Sequence, residues 1–191
     1  MGRSYYYFAA TLPVLLWGHK PAITVEQFLD DARRLLTEED FAFLEALLQE
    51  GGHEIPAGDA LLTEIVKFNQ SYHNLLAAFR AQRAGKDPAD HVRGEQYQNP
   101  YLADALQRAS KENNLLAAEE ILHETKWQLL EDLVVGHQQD IAFLCVYGLR
   151  LKMAQRHAEV NSQKGAKIFD KYEMFQLTGE DYMSLPEHRS R

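Results

Sequence analysis

Nine residues from Ile141 to Leu149, IAFLCVYGL, carry no charge. Turned through ~100° per residue, their large side chains (Ile141, Phe143, Leu144, Val146, Tyr147 and Leu149) leave no polar face, so a helix built from them has to be covered from every direction. The run is far shorter than the ~20 apolar residues of a bilayer span, and Asp140, Arg150 and Lys152 close on it from both ends. The cover must therefore be protein, and the expectation is the central helix of a bundle. A second helical pattern, starting at Leu115, leads into it across the turn Gly136-His137-Gln138-Gln139.

The rest of the chain punctuates itself as helices. Tyr5-Tyr6-Tyr7-Phe8 is rich in strand-favouring aromatics but Pro13 follows closely, so a short helix is expected there with a strand as the alternative. Thr24 with Gln27 is a capping box opening a helix with Phe28, Leu29, Ala32, Leu35 and Leu36 on its apolar side. Thr37, followed by Glu38, Glu39 and Asp40, caps another, buried through Phe41, Leu44, Leu47 and Leu48 and stopped at Gly51-Gly52. Asp59 opens the longest pattern, in which Leu61, Leu62, Ile65, Phe68, Tyr72, Leu75, Leu76 and Phe79 recur at steps of three and four. Asn69, His73 and Arg80 form a polar lane beside that stripe, with Arg80 expected to find a local ion pair and Arg83 to snorkel. Gly85 to Pro88 breaks this helix, and the polar stretch from His91 to Gln98 is the expected mobile connection. Asn99-Pro100 reads as N-cap and first residue of a helix carrying Tyr101, Leu102, Ala105 and Leu106. Past the central pair, Asn161 is expected to cap a last helix with Ile168, Phe169, Tyr172 and Phe175. The fold class is thus an all-α multi-helix bundle. It divides into two antiparallel helical lobes, 1–90 and 99–175, with a loose tail over 176–191 and a single domain as the alternative.

The 191 residues are 46% hydrophobic, enough for a packed core. A net charge of −8 speaks against a general nucleic-acid or anionic-membrane surface, which needs clustered positive charge. Cys145 lies within the most apolar run and is expected to be an inert core thiol. With that one cysteine no disulfide can form inside the chain, which suits a reducing cytoplasm. The apolar stretch after Arg3 is interrupted by Pro13 and does not read as a signal peptide. Over residues 150–171, Arg150, Lys152, Arg156, Lys164, Lys167 and Lys171 outnumber Glu159 and Asp170, which reads first as a solvated helix face and alternatively as a patch that an acidic partner would fit.

Reactive motifs are sparse. Glu120-Ile121-Leu122-His123 has the Glu-x-x-His form of di-iron bundles, which require a second such motif and two further glutamates. On the wheel the buried stripe is Leu115, Ala118, Leu122, Thr125, Leu129 and Leu133, which places Glu120 and Glu124 on the solvent side. His123-Glu124 begins like a zinc-protease motif, but Trp127 stands where the second histidine belongs. No phosphate loop, nucleophile elbow or Cys-x-x-Cys pair is present, so no catalytic residue, cofactor or metal ligand is assigned. The non-catalytic expectation depends on those acids staying outside. Those acids and imidazoles converging inward on a shared cavity, or a main scaffold made of strands, would overturn it.

Three stretches carry a resemblance. They are Tyr5-Tyr6-Tyr7-Phe8-Ala9-Ala10-Thr11-Leu12-Pro13, the segment from Tyr72 to Pro88 (YHNLLAAFRAQRAGKDP), and Ile141 to Arg156 followed by Lys164 to Phe169 (KGAKIF). Together they resemble a bacterial family of the domain-of-unknown-function type encoded with vacuolar/archaeal-type rotary ATPases. That family is similar to the C subunit (d in eukaryotes), a helical, non-catalytic piece joining the membrane rotor ring to the central shaft. The resemblance implies a non-catalytic accessory or central-stalk component. Its partners would be rotor-ring or shaft subunits, and it would reach the inner membrane only through the complex. The middle stretch resembles the asparagine-and-arginine helix of that subunit, which makes Asn74, Arg80 and Arg83 candidate contacts, alongside Arg150, Lys152 and Arg156 of the basic patch. The alternatives are a helical-bundle metal protein or enzyme using Glu120 and His123, and a stand-alone helical adaptor.

Overall fold

The computed structural model describes residues 4–49, 59–91 and 99–160, and all their regular structure is helical. Seven α-helices appear among them: α1 (Tyr6–Thr11), α2 (Val25–Leu35), α3 (Glu38–Leu48), α4 (Ala60–Arg83), α5 (Pro100–Lys111), α6 (Leu115–Leu133) and α7 (Ile141–Val160), with a 3-10 turn at Pro88–His91 after α4. The all-α bundle expected from periodicity is the fold observed. The Gly51-Gly52 stop, most of the 91–98 connection and everything after Val160, including the Asn161 cap, Lys164, Lys167, Lys171 and the tail, lie outside the described residues.

The helix starts are where the capping chemistry puts them. Thr24 Oγ1 accepts from the Gln27 amide while the Gln27 side chain accepts from the Thr24 amide, so the capping box is complete. Thr37, Asp59 and Asn99 each accept from backbone amides of the first turn, with Pro100 at the helix start. Asn114 caps α6 in the same way, through the amides of Leu116 and Ala117. The ends are also held by side chains. Lys152 Nζ donates to Leu48 O at 2.7 Å, a cation on the carbonyl end of α3.

The uncharged helix α7 is the hub. It packs against α2, α3, α4 and α6, and Ala142, Leu144, Cys145, Val146, Tyr147, Gly148, Leu149, Leu151 and Ala154 are all buried. Gly148 is a point of close approach: a Cβ built there would lie 2.9 Å from Leu48 Cδ1 and 3.0 Å from Phe28 Cε1, so a side chain at this position would have to displace those of α2 and α3. The N-terminal segment then closes the remaining side. Tyr5 bonds Asp40 through its hydroxyl and Gln139 through its amide, Phe8 stacks on Phe28, and Tyr147 donates to Pro13 O at 2.8 Å. A single buried cluster runs from Phe8 through Phe28, Leu44, Phe68 and Leu122 to Ala154.

Two apolar assignments read from the wheels differ. Leu35 is 55% exposed, because the buried side of α2 is Phe28 and Ala32, and Leu115 is 47% exposed because α6 enters the core only from Ala118 onward.

Candidate functional site

The residues with chemical potential meet where α4, α6 and α7 run together. At the centre of the seam, Lys126 on α6 is 4% exposed and donates to Asn69 Oδ1 on α4 at 2.8 Å. Its ammonium also sits 4.4 Å from the centre of the Tyr72 ring. Among the described residues no carboxylate forms an ion pair with it, and burial, with repulsion from Lys152, holds its pKa down to about 7. The Tyr72 hydroxyl is 2.7 Å from His123 Nδ1. Burial lowers the imidazole to about 4, against the pull of Glu119, and raises the phenol above its ordinary value. Both groups are therefore neutral at pH 7, and the phenol donates while Nδ1 accepts. Next along α4, Arg80 grips Glu119 through two bonds, Nε to Oε1 at 2.6 Å and an NH2 nitrogen to Oε2 at 2.7 Å. Burial pushes the Glu119 carboxyl upward, but the Arg80 hydrogen bond and charge outweigh it and hold it below the ordinary value.

Next to this seam, between α6 and α7, lies a cleft of about 90 Å³ lined by Trp17, Leu116, Glu119, Glu120, His123, Met153, Arg156, His157 and Val160. His157 on α7 donates from Nε2 to Glu120 Oε1 at 3.0 Å. Trp17, from the loop after α1, covers this pair, with its ring 5.0 Å from that of His157 and 5.4 Å from that of Trp127. Arg150 lies over the Trp127 ring, 4.1 Å from its centre, and reaches Glu131 at 3.3 Å.

Glu120 lies off the buried stripe, as the wheel places it, with 40% of its side chain exposed, yet it pairs with His157 in the cleft. Glu124 is exposed, but Glu119 and Glu120 share a cleft with His123 and His157. A wheel finds one buried stripe per helix, whereas α6 is covered twice, by α4 and α5 on one side and by α7 with Trp17 on another. Two members of the expected lane on α4 are put to internal use, Asn69 holding Lys126 and Arg80 pairing across to α6 rather than within its own helix, while His73 is exposed.

Of the candidate contact residues, Asn74 is 5% exposed within α4, and Arg83 donates to the backbone carbonyls of Ala109 and Glu112 at the end of α5. Arg150 and Lys152 are committed as described above. Arg156 is exposed at the cleft, close enough to affect Glu119, His123 and Tyr72 electrostatically. Sequence reasoning missed Lys126 and Trp17. The signal for Lys126 was its position four residues after Leu122 on the buried side of α6, and nothing local pointed to Trp17.

Cys145 is fully buried, and desolvation raises its thiol well above the ordinary range, which disfavours the thiolate a nucleophile needs. Among the described residues no three His, Cys, Asp or Glu side chains come together as a metal site, and no helix is long and apolar enough to cross a membrane. No family model, curated protein or solved structure matches the chain.

Proposed function

We propose that this is a helical protein that works through contacts with other proteins, as an accessory or central-stalk component of a bacterial vacuolar/archaeal-type rotary ATPase, similar to the C (d) subunit. The observation that carries this reading is the N-terminal ridge. Within Tyr5 to Pro13, one of the stretches that bears the resemblance, Tyr5 and Phe8 are spent on the chain's own core while Tyr6 and Tyr7 turn outward at 54% and 86% exposure. Val14 and Leu16 follow at 84% and 58%. Large apolar side chains gathered outward along one short segment suit a surface that a partner covers. The role would be mechanical, a packed bundle holding rotor and shaft subunits in register without covalent chemistry. Tagged protein is expected to recover rotor-ring or shaft subunits from detergent-solubilised membranes, and Tyr6→Ser with Tyr7→Ser to lose them. Recovery of neither class of subunit would overturn the reading.

The convergence of Glu119, Glu120, His123 and His157 favours a second reading, an acid–base activity in the cleft. A Glu120→Gln variant that still recovers the ATPase subunits but fails to replace the wild-type gene would establish it over the first.

A further inference from the structure

The polar groups of the α6–α7 cleft are unevenly used. Both Glu119 oxygens are taken by Arg80, Glu120 Oε1 by His157, and His123 Nδ1 by Tyr72. Arg156 differs: among the described residues its guanidinium forms no hydrogen bond or ion pair. Glu119 is neutralised from the α4 side and Glu120 is engaged through Oε1, which leaves the Arg156 guanidinium as the cleft's unpaired set of hydrogen-bond donors. A guanidinium presents five N–H donors in a planar fork that fits a carboxylate edge-on. Beside it Leu116, Met153 and Val160 form an apolar wall, with Leu116 and Val160 48% and 44% exposed. A cleft of this kind suits an anion with a small apolar extension. A cation entering it would meet the Arg156 charge.

We propose that the cleft binds a carboxylate carried on a short apolar stem, with Arg156 holding the anion and Leu116, Met153 and Val160 taking the stem. This goes beyond the ATPase assignment and stands without it. The carboxylate has two sources, an acidic side chain of a partner protein or a free small acid, and the chemistry is the same for both.

The protein's two tryptophans, Trp17 and Trp127, are in contact with each other and Trp17 lines the cleft, so intrinsic fluorescence reads occupancy. The full chain is titrated with butyrate at constant ionic strength, and in parallel with butylammonium. Butyrate is expected to give a saturable change and butylammonium none. Arg156→Gln, an exposed position, is expected to weaken butyrate at least tenfold with no change in thermal midpoint. Leu116→Gln should weaken butyrate while leaving formate unaffected, which separates the stem from the anion. An end-blocked peptide with a central glutamate distinguishes the sources: binding at least tenfold tighter than butyrate assigns a partner side chain, and equal or weaker binding assigns a free acid. Absence of saturation, butylammonium binding as well as butyrate, or unchanged butyrate binding by Arg156→Gln would overturn the proposal. None of these outcomes depends on the recovery of ATPase subunits.

Discussion

Lys126 is the residue whose environment departs furthest from what its type requires. An ammonium has three donors, and here it finds one acceptor, Asn69 Oδ1, and one aromatic face. A buried charge in that position costs stability, and linkage sets the sign. The folded-state value is about 7 against an ordinary value of 10.5, so between these limits the unfolded chain binds more protons than the folded one. Stability therefore rises with pH across that window, and the penalty is complete only below the folded value. Lys126→Met fills similar space without the charge and is expected to stabilise the fold by roughly 1–3 kcal/mol at pH 7. The advantage over wild type should shrink by pH 10. Denaturant midpoints of the two proteins at pH 7 and pH 10 test this, and a difference independent of pH would refute the assignment of the penalty to protonation.

At the scale of elements, the helices divide by what covers them. The caps of α2, α3, α4 and α5 were legible because Thr24, Thr37, Asp59 and Asn99 act on amides two or three residues away, and no distant contact is needed to predict that. The placement of α7 at the centre was legible for a related reason, since a helix without a polar face has one place to go. The role of Gly148 was not. A glycine inside a helix reads as a weak point worth ~1 kcal/mol, and only the packed bundle shows Leu48 and Phe28 occupying the space a side chain would take. Gly148→Val is accordingly expected to destabilise the protein by roughly 1–3 kcal/mol through overpacking between α7 and the α2–α3 pair. Unchanged thermal unfolding would mean that Leu48 and Phe28 can move aside.

For the molecule as a whole, the buried cluster is continuous from α1 to α7, with α7 touching helices from both halves of the chain. Tryptophan emission, reporting on Trp17 and Trp127 near the cleft, and far-ultraviolet circular dichroism, reporting on all helices, are therefore expected to follow one coincident unfolding transition. Separated midpoints would show that the core is energetically divided. The all-α class, most helix starts and the hidden hub were within reach of sequence, because capping and a ~100° repeat are local properties of a few consecutive residues. Which partners the polar groups of α6 find was not. Glu120 pairs with His157 in a cleft that Trp17 also lines, and Lys126 is sealed against Asn69 and Tyr72. Those neighbours come from helices and a loop far away in the chain, so only the packing of α4, α7 and the N-terminal segment around α6 decided which polar groups meet and which are left to bind something else.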